Sequence, residues 1–282
     1  MSVFRLTQIT DTHLSPRFPA FTDNFDRVAG HIDATRPDLV INTGDLAFDG
    51  PGHPDDLAFA RARHDALPVE VRVLPGNHDI GDNPTAVGAP LLQPASEDAR
   101  QRFVATCGAD HWRFDAAGWS FIGLNTLIMN TGLASEAAQR DWLMRELAGV
   151  RGRPLALFLH KPLFRDTPDD PELAATSFRY VPMPARADLV AMLADIDLRL
   201  VACGHVHQRR DVMRAGARHI WAPSAAFIIR SDDRQEPIGV KEVGLVEYAF
   251  TPDDVEVRHL RAAGQVDIDL ATVDLSATQA SA

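Results

Sequence analysis

Three times in the first third of the chain, a short apolar stretch runs straight into a polar motif. Residues 3–10 alternate apolar and polar side chains and end at Asp11. Residues 38–42 are apolar and lead into Gly44-Asp45, and residues 70–74 lead into Gly76-Asn77-His78-Asp79. Helical spacing fills the gaps. Residues 24–34 put Phe25, Val28, Ala29 and Ile32 on one face, and a second helix over 53–67 starts after Pro51-Gly52. This strand–helix–strand rhythm predicts a parallel sheet with crossover helices. The polar motifs then collect at the carboxyl edge of that sheet, where such sheets bind ligands.

The pattern continues further along. Ser96 is placed to cap a helix through 103, and 112–125 reads as a hairpin turning at 116–118. A helix from Ser135 is expected to turn Ala138, Trp142, Leu143 and Leu147 inward. Residues 155–159 form a buried strand ending at His160. A helix over 185–193 precedes the strand 198–203, which ends at Gly204-His205-Val206-His207. Short strands over 211–229 and 243–261 are expected to make a second, mostly antiparallel sheet packed on the first. One domain is expected over 1–263. The aromatic-free tail 264–282 is expected to be flexible or loosely docked. Loops 81–94 and 161–184 have no periodicity, and the second is long enough to need a role such as a substrate wall.

The five motifs supply two carboxylates, one amide oxygen and four imidazoles, with His78 left over. That set suits two cations about 3.5–4 Å apart sharing one carboxylate, an arrangement that activates water and clamps a phosphoryl group. Asp45 has two oxygens and can bridge. Asn77 offers a neutral oxygen, and His78 can reach a substrate oxygen without touching metal. Each motif also has a plain reading. Asp-x-His is common in surface loops, Gly-Asp is a common turn, and a lone His160 after an apolar run is more often a core histidine. It is their order and coincidence that favours the metal reading. Asp11 and His13, two apart in an extended segment, are expected to point the same way.

Composition narrows the partners. The 282 residues are 45% hydrophobic and 24% charged, with a formal net charge of −11. So acidic a chain lacks the basic patch that a nucleic-acid backbone requires as a main partner. The N-terminus lacks the basic start and apolar core of a signal peptide, and no apolar run is long enough to span a bilayer. A cytoplasmic location is the expectation. The two cysteines, Cys107 and Cys203, read as buried free thiols.

Taken together, Asp11-x-His13, Gly44-Asp45, Gly76-Asn77-His78-Asp79, His160 and Gly204-His205-x-His207 resemble the calcineurin-like metallophosphoesterases. The resemblance covers 11–207. It implies an α/β fold of two facing mixed β-sheets flanked by helices, a four-layer αββα sandwich. It implies Asp11, His13 and His207 on one metal, Asn77, His160 and His205 on the other, Asp45 as bridge, and His78 as transition-state stabiliser. Manganese, iron and zinc all suit mixed nitrogen and oxygen ligands. The protein phosphatases of this family carry an acid three residues after the bridging aspartate, then Arg-Gly. Here Phe48 stands at that place and the Arg is missing. The chain is more similar to bacterial cyclic-nucleotide and glycerophosphodiester phosphodiesterases.

The expected activity is therefore hydrolysis of a small phosphodiester by direct attack of a metal-bridging hydroxide. Asp79 is expected to orient an imidazole, and Asn77, His78, Phe178 and Tyr180 to contact substrate, with an aromatic ring stacking on its organic part. The alternatives are a phosphomonoesterase or nucleotide pyrophosphatase, for which Lys161, Arg165 and Arg179 are candidate basic groups, or an inactive metal-binding scaffold. A second copy of the chain is allowed as a partner.

Overall fold

The computed structural model describes residues 3–84, 93–150, 152–171, 177–232 and 234–275. Two sheets face one another. The first has the order β11-β10-β1-β2-β3 and the second β4-β5-β6-β7-β9-β8. In the first, β1 (Phe4–Ile9), β2 (Leu39–Asn42) and β3 (Val71–Val73) run parallel, while β10 (Leu245–Phe250) and β11 (Val255–Leu260) add antiparallel. In the second, β5 (Trp119–Gly123), β6 (Leu155–Phe158), β7 (Leu198–Cys203) and β9 (Ala217–Trp221) run parallel. Antiparallel β4 (Trp112–Ala116) and β8 (Arg210–Arg214) close its two edges.

The expected separate sheet of late strands is not formed. Strands β8 and β9 complete the second sheet, and β10 and β11 complete the first. The reason is visible in the side chains. Val246, Tyr248 and Phe250 of β10 alternate onto the same inner face as Leu6, where they meet Phe121, Phe158 and Ile220 of the other sheet. Truncating a ring in such a layer typically costs about 3–5 kcal/mol.

The outer faces are covered by helices. Helices α1 (Pro19–Thr35), α2 (Pro54–Asp65) and α4 (Glu97–Cys107) pack on the first sheet through Phe25, Val28, Ile32, Leu57 and Phe103. Between α2 and α4 lies the single turn α3 (Asn77–Ile80). Helices α5 (Ala134–Gly149) and α6 (Ala185–Leu193) cover the second sheet through Leu143, Leu147, Leu189 and Leu193. Pro19 and Pro54 open their helices at positions where a missing N–H costs nothing. The Ser96 hydroxyl caps α4 by accepting from the Ala99 N–H at 3.2 Å. In α5 the inward face departs from expectation. Ser135 and Gln139 are buried and Ala138 is exposed, because the Gln139 amide pairs with the backbone of Asn125.

The expected tail is docked as far as residue 275. Ile268, Leu270, Val273 and Leu275 pack on Phe18, Phe21 and Phe227. Residues 276–282, most of loop 81–94 (85–92) and the centre of loop 161–184 (172–176) lie outside the described residues. No helix among the described residues is long and apolar enough to cross a membrane.

Candidate metal centre

Every expected ligand sits at or just beyond the carboxyl end of a parallel strand. Asp11 and His13 follow β1, Asp45 follows β2, Asn77 follows β3, His160 follows β6, and His205 and His207 follow β7. The backbone there is not extended, contrary to the expectation for Asp11 and His13. Nine non-glycine residues among those described have positive φ, and five of them are Asp11, His13, Asp45, His205 and His207. Such conformations are sparsely populated and persist where the surroundings enforce them, often at functional sites. In each pair the left-handed residues flank a neighbour, and this brings both side chains to one place. Close approach also demands glycine. A Cβ on Gly76 would collide with the Asp45 carboxylate, and one on Gly204 with Thr10 and Asp11.

The side chains fall into two sets around one oxygen. In the first, Asp11 Oδ1 lies 3.3 Å from His207 Nε2. His13 Nε2 lies 3.2 Å from His207 Nε2 and 3.7 Å from Asp45 Oδ2. In the second, His160 Nε2 lies 3.4 Å from the same Asp45 Oδ2, 3.2 Å from Asn77 Oδ1 and 3.1 Å from His205 Nδ1. Asp45 Oδ1 is occupied by the His78 backbone N–H at 2.8 Å, so Oδ2 is the oxygen the two sets share.

The donor set fits cations, and the hydrogen bonds show why. His160 Nδ1 pairs with the Thr43 carbonyl at 2.9 Å and His205 Nε2 with the Phe178 carbonyl at 3.0 Å. A carbonyl only accepts, so both rings carry their proton on that side. His205 Nδ1 then faces inward as a lone pair, and His160 Nε2 faces the same point as a position for a proton or a cation, beside two further acceptors, Asn77 Oδ1 and Asp45 Oδ2. Groups converging in this way at about hydrogen-bond distance call for a shared positive charge, a proton on His160 or a metal ion. His207 repeats the device, with Nδ1 paired to the Phe227 carbonyl at 3.1 Å. Locking one ring nitrogen on a carbonyl is the usual outer support of metal-binding histidines. Asp11 Oδ1 and His13 Nδ1 are buried with no hydrogen-bond partner.

The electrostatics agree. Burial, reinforced by nearby imidazoles, holds His13 and His205 well below the ordinary histidine range, so they offer lone pairs. Burial alone would lower His160, but the Asp45 and Asp11 carboxylates and the Thr43 carbonyl together draw it up to about 9. The cluster thus recruits positive charge to the position between the two sets.

His78 stands apart from both sets. Its Nδ1 pairs with the Phe48 carbonyl at 2.6 Å, which leaves Nε2 for another partner. Asp79 orients no imidazole. Its carboxylate accepts from the backbone N–H of Leu46, Ala47 and Gly76 at 2.8–3.1 Å and so fixes the two loops that carry Asp45 and Asn77. Tyr180 is buried in the core beside Trp221, not on a substrate wall. Phe178 is half-buried next to the candidate ligand His205, which its carbonyl holds. Cys107 and Cys203 are buried free thiols, and Cys203 belongs to neither metal cluster. Sequence reading missed the carbonyls of Thr43, Phe178 and Phe227, because a main-chain acceptor leaves no mark on residue identity.

Comparison with known proteins identifies the family. The chain is 27% identical over 240 residues to a 3',5'-cyclic-nucleotide phosphodiesterase of Nostoc, covering 80% of each chain. It is 27% identical over 186 residues to a serine/threonine-protein phosphatase of Homo sapiens, covering 61% of this chain and 54% of that one. A dimetal phosphatase from Danio rerio shares the fold with a TM-score of 0.61 at 15% identity, over 95% of this chain and 98% of the other. The profile described as calcineurin-like phosphoesterase matches residues 4–209, from the first strand through the last histidine pair. The chain is a member of the calcineurin-like phosphoesterase family.

Proposed function

We propose that this enzyme hydrolyses a small phosphodiester, cyclic-nucleotide or glycerophosphodiester-like, with two cations. Asp11, His13 and His207 would hold one, Asn77, His160 and His205 the other, and Asp45 Oδ2 would touch both. The observation that carries the reading is the pair of lone-pair sets meeting at that single oxygen. Two cations so held supply a nucleophilic water at neutral pH and neutralise charge on phosphoryl oxygens. Manganese, iron and zinc are the candidates, from the nitrogen and oxygen donors.

The chain's own residues do the rest. Asn77, on the first turn of a helix, helps fix the phosphoryl group between the two sets. His78, with Nδ1 committed to Phe48, presents Nε2 to the phosphoryl or leaving oxygen, where a positioned proton donor contributes most. Phe178, whose carbonyl holds His205, would supply the aromatic ring that contacts the organic part of a substrate. Two free, buried thiols accord with the reducing cytoplasm as the compartment.

The relative named as a serine/threonine-protein phosphatase favours a second reading, a phosphomonoesterase. Two of the three basic groups that a dianionic monoester would want are engaged elsewhere, while Arg179 gives one bond to the Arg234 carbonyl and keeps Nη1 without a hydrogen-bond partner. Lys161 is buried against Asp82 and Asn83, and Arg165 pairs with Glu236. The test is hydrolysis of bis-p-nitrophenyl phosphate against p-nitrophenyl phosphate with added manganese. A higher kcat/KM for the diester is expected, and a clear preference for the monoester would replace this reading with the second.

A further inference from the structure

The family profile ends at residue 209, yet the centre is completed by a segment beyond it, residues 224–228. Phe227 touches both histidines of the first set. Its carbonyl pairs with His207 Nδ1 at 3.1 Å, and its ring packs 4.8 Å from His13 and 4.6 Å from His207. Nothing on this segment is a ligand, so its own placement decides where those rings sit. The residues that place it come from both ends of the chain. The Ser224 hydroxyl donates to the Asp11 carbonyl at 2.9 Å. Ile228 forms a bridge to 268–270, with its N–H on the Ile268 carbonyl at 2.8 Å and its carbonyl accepting from Leu270 at 3.0 Å.

One side chain ties these parts together. Asn24, on α1 and 3% exposed, donates from Nδ2 to the Ala226 carbonyl at 2.7 Å and to the Val266 carbonyl at 2.9 Å. Its Oδ1 accepts the Val266 N–H at 2.9 Å. Every polar capacity it uses is spent on fixing residue 226, one peptide before the carbonyl that holds His207, and on anchoring the C-terminal segment that clamps residue 228. From this we infer that Asn24 is a positioning residue for the Asp11–His13–His207 half of the centre, acting through Ala226 and Phe227. The half built on Asn77, His160 and His205 takes its outer bonds from Thr43 and Phe178 and shares no partner with Asn24. The inference rests on the proposed two-cation reading.

Outer supports of metal-binding histidines are typically worth about 10–100-fold in metal affinity. Asn24→Ala should therefore weaken one of the two manganese-binding steps by about 10-fold or more and leave the other within about 2-fold. The readout is manganese titration of the metal-free full-length protein, followed calorimetrically and by metal analysis. Asp110→Asn, a buried polar hub whose partners are Arg100, His111 and Asn125, serves as the control for general destabilisation. It should change neither step. If Asn24→Ala does not fold, Leu270→Pro removes the N–H that holds the Ile228 carbonyl from a half-buried position and should give the same one-sided loss. Equal weakening of both steps, or of neither, in the folded variant overturns the inference. A wild-type protein that takes fewer than two manganese ions would instead overturn the two-cation reading beneath it.

Discussion

The two halves of the centre differ in how they are held. Asp11, His13, Asp45 and His207 are all buried, and the rings of Phe48 and Phe227 close over His13. In the other half, Asn77 and His205 are half-buried, and the support for His205 comes from the carbonyl of Phe178, in the long loop after His160. One half is walled by the packed core, the other by a connection. A cation in the walled half should exchange slowly and serve as a fixed element. A cation in the other should exchange readily and lie where substrate arrives. The two sets thus differ in surroundings as well as in donors, Asp11 bringing a carboxylate to one where Asn77 brings a neutral amide to the other.

The largest effect is expected where the halves meet. Asp45→Asn weakens the side-chain oxygen that lies between the two sets. It should lose at least one metal and reduce turnover by more than about 100-fold, beyond what loss of an outer support produces. Metal analysis finding two tightly held ions at near wild-type activity would remove Asp45 as the bridge. His78→Ala should come next, lowering kcat by roughly 10²–10⁴-fold, the range for a positioned acid or base, with metal content kept. Parallel loss of metal and rate would place His78 among the ligands instead.

The asymmetry itself is open to a direct challenge. Graded chelation should remove the two metals in separate phases. His205→Ala should abolish the fast phase and His207→Ala the slow one. A single phase in the wild type would show that the two environments do not matter.

A smaller effect concerns the support of the shared carboxylate. Asn42 Oδ1 accepts the Gly44 N–H at 2.9 Å, while its Nδ2 donates to His64 Nε2 at 2.8 Å. Burial pushes His64 down to about 4, the Ala60 carbonyl offsetting this only in part. The folded pKa is depressed, so the unfolded chain takes up the proton first as pH falls. Stability should drop between pH about 6.5 and about 4, by at most about 3 kcal/mol from this group. Unfolding of the metal-free protein across that window should show a shallower pH slope for His64→Gln. An identical slope would mean that His64 is not the titrating group.

The contrast between the halves was only partly legible in the residues. Motif order and spacing sufficed to pick out the residues that converge in the candidate centre, because strand, turn and polar residue follow one another within a few positions of chain. The helix 185–193 and strand 198–203 were legible for the same reason, their apolar pattern being local. Partner strands were not. Whether β10 joins the first sheet or a new one depends on 240-odd residues of separation, as in the Tyr248 hydroxyl bond to Gln8. The backbone carbonyls that lock the histidines were invisible as well, and so was the role of Asp79, whose partners are all backbone N–H groups. Tyr180 misled for a different reason. An aromatic residue in a long loop reads as exposed, and only the packing against Trp221 shows it to be core.

The central claim is that two cations act together on one phosphodiester. Its most direct test is to titrate manganese into the metal-free enzyme while counting bound metal per chain and following bis-p-nitrophenyl phosphate hydrolysis. Activity should stay low through the first equivalent and rise to its plateau as the second, more exposed half fills. Full activity at one bound metal per chain, with no further rise at two, would contradict the account.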